Sequence, residues 1–216
     1  MRAGDPIGGH FLTGHVDTIG SVTTRDDVDG SAVLTVTFDR SFDGREIPSF
    51  FYLPKGARKG DALPAIVTPH GGPEGQTQAR FSATIQYYIN RGYAVWAPNV
   101  RGSTGYGRTF THLDDVRLRE DSVKDLAAGV DWLVASGHID SKKIAVVGGS
   151  YGGYMTLAAI TLYPDLWAAA VSSFGVGNFR TFFGNTASYR VSHRASEYGD
   201  PVKDGEALRL EPAGGH

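Results

Sequence analysis

Short apolar runs alternate with stretches of helical period along most of the chain, and that alternation sets the expected architecture. From Ser31, the positions Val33, Thr35 and Thr37 interleave with Leu34, Val36 and Phe38, a period of two rich in β-branched residues that predicts a strand. Asp43-Gly44 then supplies a turn signal, and residues 47–53 read as a second strand, so the pair predicts a β-hairpin at the edge of a sheet. Residues 1–30 carry no clear period and many small and acidic residues, and they read as loop.

From Pro64 onward, strand and helix signals take turns. Strands are expected at 65–68, 93–97, 144–147 and 168–172. Between them lie a helix at 81–91 closed by Gly92, a helix through Val123, Leu126, Val130, Leu133 and Val134 closed by Gly137, and a helix at 154–163 stopped by Pro164. Helices feeding short apolar strands predict an α/β fold, a mostly parallel sheet with helices on both faces and an N-terminal β-hairpin.

Composition narrows the function classes. With 216 residues, 41% of them hydrophobic, the chain can bury a real core. Its 21 basic and 23 acidic residues give no electrostatic reason to expect nucleic acid or an anionic membrane as a partner. No apolar run is long enough to span a bilayer, and the first residues do not read as a secretory signal. The sequence holds no cysteine, so neither a disulfide framework nor a thiolate site is available, and a cytoplasmic location is expected. His112 and His138 lack metal-ligand spacing, and no metal or other cofactor is expected.

The strongest chemical signal is Gly148-Gly149-Ser150-Tyr151-Gly152-Gly153, placed after an apolar strand and opening a helix. That is the setting of a nucleophile elbow, whose tight turn needs small flanking residues and lifts the serine hydroxyl off the sheet, as in an α/β-hydrolase. A dinucleotide fingerprint fails, because Ser150 stands where its second glycine must be. Thr68-Pro-His-Gly-Gly-Pro73 follows an earlier strand, where this fold takes an oxyanion-hole amide, and the amide of Tyr151 is the expected second donor. His70 precedes the nucleophile and reads as a loop organiser and not as a base. The charged run Asp114, Asp115, Arg117, Arg119, Glu120 and Asp121 reads as a solvated helix start, and Trp96, Trp132, Trp167 and Tyr154 as packing.

His70-Gly-Gly-Pro73, Asn99-Val-Arg-Gly-Ser-Thr-Gly-Tyr-Gly107 and Gly148-Gly-Ser-Tyr-Gly-Gly-Tyr154 together resemble the prolyl oligopeptidase family of serine peptidases, nearest its acylaminoacyl-peptidase and dipeptidyl-peptidase branches. The resemblance runs from about Ser41 to Asp200-Pro201. It implies Ser150 as the nucleophile, backbone N–H groups of Gly71 and Tyr151 as oxyanion donors, and a peptide or acyl-peptide substrate. Some members carry a tyrosine hydroxyl where His70 stands. Arg101 is expected to brace the site.

The remainder of a triad is not legible. In this fold the acid and then the histidine follow the serine, but His193 and His216 sit in no family-like motif. Asp165 with His193, or Asp200 with His216, has the right order and a plain alternative as turn and surface residues. Members of the family usually carry a β-propeller. The resemblance implies residues 1–40 as at most a remnant of the join to one, 41–210 as a partial, C-terminally truncated catalytic domain, and 211–216 as a divergent tail. A truncated sheet is expected to expose an edge that promotes association. Three readings stand: a serine peptidase impaired in this chain, a non-catalytic fragment or pseudoenzyme, and a carboxylesterase of the same fold.

Overall fold

The computed structural model describes residues 13–15, 19–28, 31–38 and 45–205. The turn expected at Asp43-Gly44, the tail at 211–216 and His216 lie outside the described residues. Eight strands form one sheet: β1 (Thr13–His15), β2 (Ile19–Val28), β3 (Ser31–Phe38), β4 (Ile47–Pro54), β5 (Leu63–Val67), β6 (Ala94–Pro98), β7 (Ile139–Gly149) and β8 (Ala169–Ser173). Their spatial order is β1-β2-β3-β4-β6-β5-β7-β8. Ladders are antiparallel from β1 through β4 to β6 and parallel across β6, β5, β7 and β8.

β3 and β4 pair as the expected antiparallel hairpin, but they do not form the sheet edge. β2 and β1 extend the sheet beyond them, within a segment whose composition reads as loop. Strand here follows from pairing and not from side-chain period: β2 and β3 pair from Gly20↔Phe38 to Val28↔Ser31, with one register shift between Val22 and Thr24. The residues between them in sequence, Asp29-Gly30, are a strong hairpin dipeptide, the signal that periodicity overlooks.

The helices are α1 (Ala83–Asn90), α2 (Arg108–Thr111), α3 (Arg119–Ala135), α4 (Tyr151–Leu162), α5 (Phe179–Gly184) and α6 (Ser188–Tyr198). Ser82 caps α1 by accepting from the Ile85 amide, and Gly92 and Gly137, at φ +87° and +79°, follow α1 and α3 as expected. Strand alternation splits the core between two faces. Tyr52, Val95 and Ala97 pack on Ile89 of α1, while Phe51, Leu53, Ala94 and Trp96 point the other way, onto α3 and α4. There Phe51 meets Trp132 edge to face at 5.4 Å, and Val123, Leu126, Leu133 and Met155 complete a large apolar cluster. Burying side chains of this size contributes about 1.5–3 kcal/mol each, so this layer anchors the fold.

β8 pairs with β7 at the end of the described sheet, and all five of its residues are exposed. No described helix is long and apolar enough to cross a membrane. The carboxyl ends of β5, β7 and β8 converge on one rim, the place where open parallel sheets bind ligands.

Candidate active site

Ser150 stands at that rim, between the end of β7 and the first turn of α4, and is exposed. Its backbone is at φ +55°, ψ −120°, a region that a residue with a Cβ enters only at a cost. The surroundings hold it there. The Ser150 amide donates to the Ser173 carbonyl at 2.9 Å, and the Gly153 and Tyr154 amides donate back to the Ser150 carbonyl. Two glycines make the turn feasible. A Cβ on Gly148 would lie 2.1 Å from the Gly152 carbonyl oxygen, and one on Gly152 would lie 2.3 Å from that of Pro69.

The loop after β5 lies directly against this turn. A Cβ on Gly71 would be 3.5 Å from the Ser150 Cβ and 4.0 Å from its Oγ. Gly71 is thus beside the serine side chain, and Tyr151 follows the serine as the first residue of α4, where its amide has no carbonyl within the helix to bond. The helix N-terminus adds a partial positive charge at the same place.

His70 behaves as a loop organiser. Its Nδ1 is 2.9 Å from the Gly71 carbonyl oxygen, so Nδ1–H donates there, and Nε2 is 2.8 Å from the Ser103 hydroxyl. Burial pulls its pKa below the usual histidine range, with the Gly71 bond opposing, so the ring is neutral near pH 7. Asn99 ties the neighbouring loop, accepting from the Thr77 amide and donating to the Thr77 carbonyl and the Tyr106 hydroxyl. Arg101 is buried and bidentate on Asp125 of α3, which matches the bracing role expected of it.

Sequence reasoning missed a second group of residues. Asp114 and Arg119 are not part of a solvated helix start: both are buried, at 0% and 3% exposure. Arg119 Nη1 donates to the Tyr151 hydroxyl at 2.8 Å and to Asp114 Oδ2 at 3.1 Å, and Nη2 donates to the Glu197 carbonyl at 2.7 Å. The Tyr151 hydroxyl in turn donates to Asp114 at 3.1 Å. The run looks solvated only while its partners, Tyr151 and α6, are out of view. Burial with pairing is what keeps such a charge tolerable. Tyr198 stacks beneath Arg119, and its hydroxyl donates to the Gly72 carbonyl at 3.1 Å. The recurrence of aromatics at Tyr151, Tyr154, Phe179 and Tyr198 was the available hint, since these rings pack as one cluster with centroids 4.8–6.2 Å apart. Tyr154 is packing, as expected, and so are Trp96 and Trp132.

His193 lies in α6, and its side chain is outside the described residues. The histidines whose side chains are described stand away from Ser150 or are engaged elsewhere. His70 is committed as above, His112 bonds Asp115 at 2.8 Å, and His138 lies at the opposite end of β7. Asp165 is exposed in a short 3-10 turn, and Asp200 accepts from the Val202 and Lys203 amides in a turn after α6. Among the described residues no cluster of three or more histidine, aspartate or glutamate side chains could hold a metal ion.

The chain is similar to known proteins. Residues 79–213 match the prolyl oligopeptidase family. The chain is similar to dipeptidyl aminopeptidase BIII of Pseudoxanthomonas mexicana, 35% identical over 76% of this chain and 25% of that protein. It is 34% identical to the acylamino-acid-releasing enzyme of Arabidopsis thaliana over 61% of this chain and 17% of that one. Among solved structures, one from a structural and mechanistic study of two prolyl endopeptidases superposes with a TM-score of 0.73 at 25% identity, over 92% of this chain and 35% of the other. The matched region therefore spans a quarter or less of these curated relatives. With the strand–turn–helix geometry at Ser150 and these likenesses in agreement, the chain belongs to the prolyl oligopeptidase family of serine peptidases.

Proposed function

We propose that the chain is the nucleophile-bearing part of a serine peptidase that cleaves peptide or acyl-peptide bonds through an acyl-enzyme on Ser150. The observation that carries this is the φ of +55° at Ser150, which presents its exposed hydroxyl beside the exposed Gly71 backbone. In this reading Ser150 Oγ attacks the scissile carbonyl. The amides of Gly71 and Tyr151 receive the oxyanion, and the N-terminus of α4 favours the charge that develops. The tetrahedral intermediate collapses with breakage of the C–N bond, and the amine leaves carrying the proton given up by the serine. Water then attacks the ester, releasing the acid and returning a proton to Ser150 Oγ. The substrate class is supported by similarity to a dipeptidyl aminopeptidase and to an acylamino-acid-releasing enzyme. A carboxylesterase would use the same elbow, and turnover of peptide anilides against short acyl esters separates the two.

The attack needs a base for the serine proton. His70, His112 and His138 are engaged or remote, and neither His193 nor His216 sits in a family-like motif, so the isolated chain is proposed to hydrolyse weakly or not at all. The same observation favours a second reading, a chain that keeps the scaffold without catalysis. Intact-mass analysis after a fluorophosphonate probe, on wild type beside Ser150→Ala, decides between them. A single adduct lost in the variant shows an activated serine; a folded chain without adduct sinks the catalytic reading for these 216 residues. The exposed residues of β8, at the end of the described sheet, support self-association through that edge, checked by sedimentation. The cytoplasmic location that suits a cysteine-free composition belongs to the same proposal, checked by cell fractionation.

A further inference from the structure

Two consecutive carbonyls of the loop beside Ser150 are pinned by side chains from different parts of the fold. His70 Nδ1–H donates to the Gly71 oxygen at 2.9 Å, and the Tyr198 hydroxyl donates to the Gly72 oxygen at 3.1 Å. The first anchor is local to the loop. The second crosses 126 residues of sequence, from the last residue of α6. Peptide planes are rigid, and the His70–Gly71 bond closes a ring of atoms that includes the plane carrying the Gly71 N–H. Tyr198 holds the Gly72 carbonyl plane, whose nitrogen is that of Pro73 and carries no hydrogen. Glycine–glycine backbone is otherwise free to swing. The Tyr198 anchor fixes the far end of the Gly72 dihedrals, and with the His70 ring closed on Gly71 it limits how the Gly71 amide can turn.

Tyr198 is itself held. The Arg119 guanidinium carbon lies 4.6 Å from its ring centroid, and Nη2 of the same guanidinium donates to the Glu197 carbonyl in the last turn of α6. Nη1 of Arg119 meanwhile donates to the hydroxyl of Tyr151, the residue after the serine. One buried cation thus bears on both walls that flank Ser150: the start of α4 directly, and the Gly71-Gly72 loop through Tyr198.

We propose that Tyr198, seated on Arg119, is a positioning residue of the site, its hydroxyl locking the Gly72 carbonyl so that the Gly71 amide is aimed at the oxyanion. This rests on the reading of Ser150 as nucleophile and Gly71 as donor. Tyr198 acts through the loop and touches no reacting atom.

The test compares the 216-residue wild-type chain with Tyr198→Phe, which removes the hydroxyl and keeps the ring. Amide hydrogen exchange is followed by mass spectrometry, and the rate of fluorophosphonate labelling at Ser150 is followed alongside. Exchange over residues 70–75 is expected to quicken about tenfold while α3 is unchanged, with labelling slowed by about fivefold or more. Unchanged exchange over 70–75 overturns the proposal. So does quicker exchange with undiminished labelling, since the loop would then be held without aiming the amide. A wild-type chain that takes no label counts against Ser150 as nucleophile, and exchange alone then decides whether Tyr198 holds the loop. Arg119→Lys reports on the same loop should Tyr198→Phe fail to fold. It keeps the charge, gives up the planar fork that seats Tyr198, and is expected to quicken exchange at 70–75 in the same way.

Discussion

Arg101 and Asp125 form a buried fork: Nε donates to Oδ2 at 2.9 Å, Nη2 to Oδ1 at 2.7 Å, and the Arg101 amide to the same Oδ2 at 3.1 Å. The pair joins the loop after β6 to the middle of α3, at positions that are 2% and 0% exposed. Deleting one member strands the other charge away from water. Asp125→Ala is expected to cost about 3–5 kcal/mol in urea unfolding. Asp121→Ala is the control. Its carboxylate lies 4.0 Å from the same guanidinium and is partly solvated, and its loss is expected to change stability by about 0–1 kcal/mol.

Gly152 separates steric from conformational need. A Cβ there would lie 2.3 Å from the Pro69 oxygen and 3.1 Å from the His70 oxygen, so backbone of the loop after β5 must move. Gly56, at φ +82°, has nothing within 4 Å of an added Cβ. Gly56→Ala is expected to cost about 1 kcal/mol through its dihedral alone and to leave the probe reaction of Ser150 as it is. Gly152→Ala should cost more and displace residues 69–71. Equal effects from the two substitutions would mean that the elbow does not need its close approach.

Much of this was readable from residues in order. The elbow could be placed because the glycines, the apolar strand and the helix are contiguous in sequence. The β3–β4 hairpin and the helices on both faces follow from local period. What stayed hidden depends on contacts distant in sequence. Arg119 and Asp114 belong to a run with the composition of surface, and only Tyr151 and Glu197, 32 and 78 residues from Arg119, make their burial possible. β2 has the composition of loop and becomes strand through its ladder with β3. The Tyr198 anchor on Gly72 leaves no local mark.

The strained backbone at Ser150 carries its own consequence. A φ of +55° with ψ of −120° suits glycine, so Ser150→Gly relieves the local cost while it deletes the hydroxyl. That variant is expected to gain about 1 kcal/mol in urea unfolding, while Ser150→Ala, which keeps a Cβ, gains nothing comparable. Both should lose the fluorophosphonate adduct. A Ser150→Gly chain no more stable than Ser150→Ala would show that the elbow is not a store of strain.

The buried carboxylates near α6 set a pH dependence with an unusual sign. Burial raises Glu197 to about 7, with Arg119 opposing and Asp114 and Glu74 adding to the rise. Burial likewise raises Asp114 to about 6 against the pull of Arg119 and the Tyr151 hydroxyl. Both folded values exceed the unfolded ones of 4.5 and 3.8, so between about pH 4 and 7 the folded chain holds protons that the unfolded chain has released. These two groups therefore favour folding at low pH, and that contribution is lost as pH rises, with the full penalty present above about 7. The half-buried Asp140 and Asp200, lowered first by backbone amides, act in the opposite sense, but only at more acid pH. Glu197→Gln cannot ionise. Its stability relative to wild type is expected to be greater at pH 8 than at pH 5, the difference between the two comparisons being about 1–3 kcal/mol. Urea midpoints at the two pH values measure it. Parallel profiles for wild type and Glu197→Gln would show that the Glu197 carboxylate stays solvated, and α6 would then not close over Arg119 as tightly as its 2.7 Å bond to the Glu197 carbonyl requires.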